Sequence, residues 1–351
     1  MKKVIAIIGA RPQFIKHFAF ESSIDRRFQL ITIHTGQHYD ENMSQVFFDQ
    51  LGMKKPDYIL KLGGGNHGAQ TAAMMESIEK IVLDVLPDMM VLYGDTNSTL
   101  AGALVAAKLH VPVAHIEAGL RSYNKSMPEE INRVLTDHVS DLLFVPSDVA
   151  KSNLANEGIF KNIHIVGDIM KDLVITSTQN HWIKKPKDTD KPYIYATLHR
   201  PYNTDEKTRL EYVLSALQSI PLHVVFAIHP RTKNAMKNYG LLEASYPNIT
   251  FIAPQGYFEN LGYLYHSQGL ITDSGGMQKE AYWLQKKCIT IRTETEWVET
   301  LIDHDNVLMF EDLTLLADEI TKPATCSDKN LYGNGKSAQE MIRLISTALE
   351  R

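Results

Sequence analysis

Three acidic side chains in the first half of the chain are of a type that moves protons. Asp95 and Glu117 follow the short apolar runs Met89–Tyr93 and Val113–Ile116, and Glu129 follows a proline at a predicted helix start. Each also has a structural interpretation, as a helix cap or as a charge that suits the first turn of a helix. Three such acids at successive turns of the chain favour general acid and base chemistry. We therefore predict that they are catalytic.

A second feature is the turn Ser274-Gly275-Gly276, which ends an apolar run and opens a helical pattern. The first turn of a helix has unpaired N–H groups and a partial positive charge, and glycine lets an anion reach them. Glu280, further along the helix, could accept hydrogen bonds from ribose hydroxyls. The alternative is a tight, capped strand-to-helix turn without a ligand. We predict that the turn holds a nucleotide diphosphate.

Five basic or imidazole side chains also follow predicted strands or begin the helices after them. They are Arg11, Lys16, His199, Arg200 and His229. A histidine in such a place can simply satisfy a backbone group, and a cation at a helix start can simply be exposed to solvent. Such a cation opposes the helix dipole, however, which slightly favours a functional role. We predict that all five contribute to an anion site.

Strand-like runs alternate with helical patterns along the chain, which is typical of parallel sheets flanked by helices. In the first half the predicted strands are Lys3–Ile8, Leu30–His34, Tyr58–Leu62, Met89–Tyr93, Val113–Ile116, Leu142–Val145 and Ile163–Val166. After a polar linker over 177–192, the second half continues with Tyr193–Thr197, His223–His229, Ile249–Ala253, Gly269–Thr272 and Cys288–Arg292. We expect an α/β fold of two doubly wound, Rossmann-like domains that face a cleft, where open α/β sheets bind ligands.

The composition is that of a globular protein with a small-molecule ligand. The 351 residues, 44% apolar and 22% charged, suit two domains, and a net charge of −5 gives no basic footprint for nucleic acid. Cys288 and Cys326 lie far apart without metal-ligand spacing, and no apolar run reaches the length of a membrane span. We expect a cytoplasmic protein with no nucleic-acid or membrane partner.

Two motifs point to other kinds of site. The run Gly63–Gly68 matches G-x-G-x-x-G, which would indicate a dinucleotide-binding oxidoreductase. It follows the third predicted strand and not the first, and three glycines before Asn66 are also ordinary loop composition. Asp188 and Asp190 could imitate the metal-binding acids of a glycosyltransferase, but they lie in the Lys-rich linker. We expect neither a nicotinamide site nor a metal site.

With these motifs assembled, the chain resembles the non-hydrolysing UDP-N-acetylglucosamine 2-epimerases over essentially its whole length. The matching segments are Gly9–Pro12, Thr35–His38, Gly94–Ser98, His115–Arg121, Pro128–Arg133, His199–Arg200 and Asp273–Gly276 with Glu280. The resemblance implies a fold like that of two-domain GT-B glycosyltransferases, with UDP in the interdomain cleft. It also implies a final helix, about 337–349, that packs back on the first domain. The expected domains are 1–170 with 337–351, and 171–336.

The functional residues of the family can be carried over position by position. Its catalytic carboxylates fall on Asp95, Glu117 and Glu129, and we add His199 to the catalytic set. Its phosphate and nucleotide contacts fall on Arg11, Lys16, His199, Ser274, Gly275, Gly276 and Glu280. The resemblance implies a homodimer that inverts C2 of a UDP-2-acetamido sugar by elimination and re-addition of UDP, without a cofactor. Such products are precursors of surface polysaccharides.

Two segments depart from the family pattern. Gln13 replaces a glutamate of the motif after the first strand, and Trp297 replaces an arginine that approaches the nucleotide. The second change, together with the Gly63–Gly68 loop, resembles the branch that acts on UDP-2,3-diacetamido-2,3-dideoxyglucuronate. A GT-B glycosyltransferase and a non-catalytic regulator that binds a nucleotide sugar are the alternatives. Three acids near a diphosphate argue against the regulator, because like charges hinder simple binding.

Overall fold

The computed structural model describes residues 1–37, 52–187, 189–325 and 330–350. The chain forms two compact units: unit 1 comprises Met1–Ile175 and Asn330–Arg351, and unit 2 comprises Thr176–Lys329. The sequence placed these divisions after 170 and after 336. Three residues named above, His38, Asp188 and Cys326, lie outside the described ranges.

In its described residues, unit 1 is built on a parallel sheet of seven strands in the order β3-β2-β1-β4-β5-β6-β7. The strands are β1 Lys2–Ile8, β2 Phe28–His34, β3 Tyr58–Ile59, β4 Met89–Tyr93, β5 Val113–Ile116, β6 Leu142–Val145 and β7 Ile163–Ile165. The helices up to the unit boundary are α1 Arg11–Ser23, α2 His67–Val85, α3 Asn97–Lys108, α4 Pro128–Val139, α5 Asp148–Asn156 and α6 Ile169–Gln179.

Unit 2 has a parallel sheet of six strands in the order β10-β9-β8-β11-β12-β13, again counted over its described residues. The strands are β8 Tyr193–Thr197, β9 His223–Ala227, β10 Ile249–Ile252, β11 Gly269–Thr272, β12 Lys287–Thr290 and β13 Asn306–Leu308. The helices are α7 Pro201–Thr204, α8 Lys207–Gln218, α9 Pro230–Tyr239, α10 Tyr257–His266, α11 Gly275–Trp283 and α12 Leu316–Ile320, with 3-10 turns at Glu243–Ser245 and Val298–His304.

The last helix, α13 Ser337–Leu349, belongs to unit 1. It packs against α1, and Arg27 Nη1 donates a hydrogen bond to Ser346 Oγ at 2.8 Å. Near its start, the Ala338 N–H donates to Asp172 Oδ2 at 2.8 Å. The end of the chain is therefore held by unit 1 through both packing and hydrogen bonds.

Strand β4 shows why the sequence folds into sheets of this kind. All five of its residues, Met-Met-Val-Leu-Tyr, are buried. An unbroken apolar run of this length suits a central parallel strand, which is covered by helices on both faces. The two doubly wound parallel sheets confirm the predicted α/β class. Within the described ranges, no helix combines the length and the apolar character that crossing a membrane requires.

Three parts of the element prediction differ from the structure. The strand predicted over Tyr58–Leu62 contains only Tyr58–Ile59. The linker predicted over 177–192 begins inside α6, which continues to Gln179, so its first residues are helical. The sequence also missed β13, whose three residues pair with β12. A strand of three residues that begins with asparagine has too little apolar alternation to be recognised from sequence.

Candidate active site

Each sheet reverses its direction of winding once, and the predicted site residues follow the strands at that point. In unit 1 the chain runs from β1 outward to β3 and then places β4 on the other side of β1. In unit 2, β11 takes the corresponding place beside β8. Loops that leave neighbouring strands at such a point diverge and leave a crevice at the carboxyl ends of the strands.

The predicted residues divide between the two units. Unit 1 carries Arg11, Lys16, Asp95, Glu117 and Glu129. Unit 2 carries His199, Arg200, His229, Ser274, Gly275, Gly276 and Glu280. The predicted carboxylates that would move protons are all in unit 1, and the predicted helix-start anion site is in unit 2.

Asp95 follows β4 and lies beside an arginine that was not singled out from the sequence. A guanidinium nitrogen of Arg133, on α4, contacts Asp95 Oδ2. The Arg133 side chain is 5% exposed and the Asp95 side chain 30%. Asn132 Nδ2 also donates to the Asp95 carbonyl oxygen at 2.9 Å. The carboxylate is therefore fixed from α4 and stays partly accessible. Both partners end the Pro128–Arg133 motif, which was the available signal.

Glu117 follows β5 and has an unusual backbone conformation. Its φ is +73°, a left-handed value that few residues other than glycine adopt. The N–H groups of Glu117 and Ala118 both donate to the Phe144 carbonyl at 3.1 Å, which fixes the turn. The ammonium group of Lys16 contacts Glu117 Oε2, and the two side chains are 8% and 11% exposed. Strained backbone of this kind occurs preferentially at functional sites.

The Lys16–Glu117 ion pair lies directly against Gly94. A Cβ at Gly94 would lie 3.3 Å from both Glu117 Oε2 and Lys16 Nζ, and the φ of this residue is +61°. Glycine is favoured here both by the space and by the backbone conformation. Because Asp95 is the next residue and β4 pairs with β5, Asp95 and Glu117 belong to one neighbourhood.

The two adjacent glutamates at the start of α4 have different surroundings. Glu130 is 3% exposed and accepts hydrogen bonds at 2.9 Å from Ser122 Oγ and from the N–H groups of Ser122 and Tyr123. Glu129 is half-buried and makes no hydrogen bond or ion pair with another described residue. Glu130 therefore closes a loop, whereas the Glu129 carboxylate, which was predicted to be catalytic, is not engaged by another described residue.

In unit 2, the buried carboxylate of Asp273 ties together the ends of β8 and β11. It accepts hydrogen bonds from the N–H of His199 at 3.1 Å and of Arg200 at 2.9 Å, and from Asn203 Nδ2 at 3.1 Å. His199 Nδ1 lies 3.1 Å from Oδ1. Burial raises the pKa of Asp273, but these donors together outweigh burial and the pKa is lowered. An ionised Asp273 therefore orients His199, a contact that was not predicted from the sequence.

His199 has one ring nitrogen left for a ligand. Its side chain is 36% exposed, and because Nδ1 is engaged by Asp273, Nε2 is the group that can meet a ligand. The centroid of its ring lies 5.6 Å from that of His229. His229 Nδ1 accepts the Arg231 N–H at 3.2 Å and so caps α9. His229 thus has a structural role in addition to its place beside His199.

At the start of α11, the two glycines differ in the space around them. Ser274 precedes the helix without making a side-chain capping bond, so the capped-turn alternative lacks its expected contact. A Cβ at Gly275 would lie 2.8 Å from Glu296 Oε1, whereas a Cβ at Gly276 would meet no atom within 4 Å. Glu280, further along the helix, is 3% exposed.

Arg292 is a buried cation beside this helix start that was missed from the sequence. It follows β12, is 4% exposed, and its Nη2 donates to Glu296 Oε2 at 3.0 Å. Its Nη1 lies 3.5 Å from the position of a Cβ on Gly275. This atom and Arg200 Nε are buried without a hydrogen-bond partner in the described part of the chain. Buried unsatisfied donors are rare, and a bound anion would satisfy them.

Trp297, which replaces an arginine of the family pattern, lies under a buried lysine. Lys279 Nζ, from α11, is 3.5 Å from the centroid of the Trp297 indole ring. The two residues are 1% and 3% exposed. A cation over an indole face is stabilised by the ring quadrupole. Trp297 therefore contributes a favourable contact to the Lys279 ammonium group on α11.

Two predicted features remain to be located, Arg11 and the Gly63–Gly68 run. Arg11 is exposed at the first position of α1. The Gly63–Gly68 run precedes α2 after the edge strand β3 and does not follow β1, where a dinucleotide motif belongs. Gly64 and Gly65 have a φ of +82° with no atom within 4 Å of an added Cβ, as in an open loop. In the described ranges, no three His, Cys, Asp or Glu side chains cluster to hold a metal.

Two doubly wound units, one with acids after its strands and one with a helix start that is predicted to bind an anion, are typical of α/β proteins that process nucleotide sugars. The family model described as UDP-N-acetylglucosamine 2-epimerase matches residues 22–346. A UDP-N-acetylglucosamine 2-epimerase homolog of Methanococcus maripaludis is 44% identical over 98% of this chain and 99% of its own. The chain belongs to the UDP-N-acetylglucosamine 2-epimerase family, which confirms the resemblance seen in its motifs.

Two further relatives extend the comparison. A UDP-2,3-diacetamido-2,3-dideoxy-D-glucuronate 2-epimerase of Pseudomonas aeruginosa is 45% identical over 98% of this chain and 99% of its own. The crystal structure of the Methanocaldococcus jannaschii UDP-GlcNAc 2-epimerase in complex with UDP-GlcNAc and UDP matches with a TM-score of 0.89 at 39% identity, covering 99% of this chain and 100% of that one. Proteins of both substrate branches are therefore similar to this chain over nearly its full length.

Proposed function

We propose that this protein is an isomerase that inverts C2 of UDP-N-acetylglucosamine without hydrolysing it. The observation that carries the proposal is the pair Asp95 and Glu117, which follow the neighbouring strands β4 and β5 and each contact a buried cation. Two acid/base groups held in one neighbourhood are what a proton exchange at two faces of one carbon requires. Membership of the family supports the same reaction.

The reaction begins with loss of the C2 proton. This carbon has no adjacent carbonyl, so the departure of UDP must help to drive proton removal. One carboxylate takes the C2 proton while the C1–O bond to UDP breaks, and the bonding electrons leave with UDP. The product is a 2-acetamidoglycal with a C1–C2 double bond.

The second half reverses these steps on the other face. A second group delivers a proton to the opposite face of C2, and UDP adds back at C1. Asp95, Glu117 and Glu129 are assigned to the proton transfers, each of which typically contributes about 10²- to 10⁴-fold. The proposal gives one carboxylate to each face of C2.

Most of the groups assigned to UDP belong to unit 2. His199 Nε2, the Arg200 and Arg292 guanidinium groups and the start of α11 would stabilise the departing diphosphate, because donors fixed in advance stabilise developing charge. The buried donors on Arg200 and Arg292 support this assignment. Glu280 is assigned to the ribose, and Arg11, Lys16 and His229 to the phosphates, as predicted from the sequence.

Proton NMR in deuterated water tests the reaction. With UDP-N-acetylglucosamine we expect the C2 epimer to appear, with deuterium at C2, after chelator treatment and removal of nicotinamide. Retention of the original C2 hydrogen, or a requirement for added NAD, would contradict elimination and return the Gly63–Gly68 loop to consideration. Release of UDP with transfer of the sugar to an acceptor would instead identify a glycosyltransferase.

Conservative variants assign the proton transfers. Asp95→Asn and Glu117→Gln should lose turnover far more than UDP affinity. Glu76→Gln is a matched control, because Glu76 is paired with Lys80 at 2.7 Å on the exposed face of α2, away from the strand ends. Turnover in Asp95→Asn and Glu117→Gln that equals turnover in Glu76→Gln would remove both acids from the mechanism.

A second candidate substrate is UDP-2,3-diacetamido-2,3-dideoxyglucuronate. The observation that favours it is Trp297 beneath Lys279, in place of the arginine of the family pattern. The P. aeruginosa relative, which is 45% identical, is named as a 2-epimerase of this UDP sugar. Measuring kcat/KM for both UDP sugars under one set of conditions decides between them, because the higher value identifies the preferred substrate.

The proposal also includes a cytoplasmic homodimer that supplies precursors of surface polysaccharides. Light scattering on the purified protein measures the mass directly, and a mass of one chain would contradict the dimer.

A further inference from the structure

His115, on β5, lies fully buried between two hydrogen-bond acceptors. Its Nε2 is 2.7 Å from the Gly94 carbonyl oxygen, and its Nδ1 is 2.7 Å from Asp137 Oδ1. The side chains of His115 and Asp137 are both 0% exposed. A carbonyl oxygen accepts hydrogen bonds and cannot donate them. The Nε2 atom must therefore carry a proton.

The Nδ1 atom must carry a proton as well, because Asp137 has none to give. Asp137 Oδ2 accepts the Gly119 N–H at 3.0 Å and Arg121 Nη1 at 2.7 Å. Burial raises the pKa of Asp137, but His115 and Arg121 outweigh burial and the pKa is lowered. An ionised carboxylate only accepts. With both ring nitrogens donating, His115 is an imidazolium.

A second cation, Arg121, contacts the same carboxylate. Arg121 donates both to Asp137 and, through Nε at 2.7 Å and Nη2 at 2.7 Å, to Glu157. Glu157 is 26% exposed and also lies 3.3 Å from His138 Nε2, so water and a further group share its charge. Asp137 is fully buried, and removing one cation from a buried carboxylate is costly.

Through these hydrogen bonds, the Asp137 carboxylate is linked to both turns that carry the proposed catalytic acids. Asp137 accepts the N–H located two residues after Glu117. Through His115 it also holds the carbonyl that directly precedes Asp95. Hydrogen bonds to charged groups are shorter and roughly twice as strong as neutral ones. The link therefore restrains the spacing of Asp95 and Glu117 through their backbones.

We propose that His115, as an imidazolium, and Asp137 are positioning residues that hold Asp95 and Glu117 at their working separation. The inference rests on the proposed function. Neither residue needs to touch the substrate, because each acts through the backbone of a residue that does. Removing the link should lower turnover and leave UDP binding unchanged, because neither His115 nor Asp137 hydrogen-bonds to a side chain assigned to UDP.

Nitrogen-15 NMR of the histidine rings tests the protonation state without any activity measurement. Under the conditions of the activity assay, His115 should show two protonated ring nitrogens, because both nitrogens face hydrogen-bond acceptors. His17 is the internal reference: it is buried, it contacts the hydroxyls of Tyr93 at 2.9 Å and Thr32 at 3.0 Å, and burial lowers its pKa to about 4. The variants His115→Gln and His17→Gln assign the signals. A neutral ring at His115 would overturn the proposal.

Kinetics of the same variants test the positioning role. We expect kcat to fall about 10²-fold in His115→Gln, the size of loss that a small misplacement of reacting groups causes, with KM and the Kd of UDP unchanged. His17→Gln removes an equally buried histidine and should retain kcat. Equal kcat in the two variants would refute the proposal.

A folding failure of the variant and a failure of the proposed function can each be distinguished from a failure of the positioning role. If His115→Gln does not fold, Asp137→Asn replaces it, because an amide keeps one acceptor and removes the charge that protonates His115. Asp137→Asn should lose kcat and show a neutral His115 ring, and full kcat would refute the role. Failure of the wild-type protein to epimerise any UDP sugar would refute the proposed function instead, while the histidine spectrum still decides the imidazolium.

Discussion

Replacing Gly276 by alanine distinguishes the two explanations of the α11 start, an anion site or a tight turn. Gly276 is the second residue of the helix, and an added Cβ would meet no atom within 4 Å. In the free protein, alanine is then favoured over glycine by about 0.5–1 kcal/mol, because it loses less backbone entropy in a helix. If the diphosphate of UDP rests on the N–H groups of this turn, the new methyl group occupies space that the phosphate needs.

The two effects have opposite signs. The free energy of unfolding should rise by about 0.5–1 kcal/mol in urea titrations. In calorimetry, the Kd of UDP should rise roughly ten- to a hundredfold, because a lost hydrogen bond to a charged group costs about 1.5–3 kcal/mol. A general folding defect would lower both stability and affinity, so it cannot produce this combination.

Gly68→Ala is the matched control. Gly68 is also the second residue of its helix, α2, and an added Cβ there also meets nothing within 4 Å. It should give the same gain in stability with no change in UDP affinity. If Gly276→Ala binds UDP as tightly as Gly68→Ala does, the turn is only structural and the assignment of the anion site is wrong.

Two more predictions concern buried charge in unit 1. Lys16→Met should destabilise the protein by about 3–5 kcal/mol because it leaves the Glu117 carboxylate buried beside no ammonium, and adding Glu117→Gln should recover most of this loss. Urea titration of the single and double variants checks it, and a double variant as unstable as Lys16→Met would contradict it. The second concerns pH: burial lowers the pKa of His17 to about 4, so below its unfolded pKa of about 6.5 only the unfolded chain takes up a proton and stability is lost as pH falls toward 4. Between pH 7 and pH 5 this loss is about 2 kcal/mol, from about 1.5 pH units at about 1.4 kcal/mol each. His17→Gln should lose less stability over that interval by this amount, and an equal loss would contradict the argument.

Much of the fold can be predicted from local sequence patterns. Strands β4, β5 and β6 lie at the predicted residues, because each is a short, mostly apolar run bounded by proline, glycine or an acidic residue. Strand β13 is different, since its first residue, Asn306, is buried only through its hydrogen bonds. It donates to Gln278 at 2.8 Å and to Thr300 at 3.0 Å, and accepts from Thr290 at 2.7 Å. Gln278 and Thr290 are 28 and 16 residues away from Asn306, so no local pattern could predict these bonds or the strand.

The candidate site, like the fold, could be predicted from the sequence only in part. Acids and cations after strands are visible in the sequence, because topology brings the carboxyl ends of parallel strands to one edge. Which cation meets which acid is not visible. The pairing of Lys16 with Glu117 depends on a left-handed backbone at Glu117, and that of Arg133 with Asp95 depends on how α4 docks. Both are consequences of tertiary structure.

Gln13, where the family pattern has a glutamate, shows that a departure in a motif need not remove a catalytic group. Its Oε1 accepts the N–H groups of Gly9 at 2.8 Å and Ala10 at 3.0 Å, and its Nε2 donates to the Tyr93 carbonyl at 2.8 Å and to Thr99 Oγ1 at 3.0 Å. A glutamate could accept in the same way, but as a carboxylate it could not donate, and its second oxygen would face the Tyr93 carbonyl. Glutamine therefore links the loop after β1 to the end of β4, directly before the turn that carries Asp95. Because every hydrogen-bonding group of the amide is already used, Gln13 has a structural role, and the proposed acid/base chemistry stays with Asp95, Glu117 and Glu129.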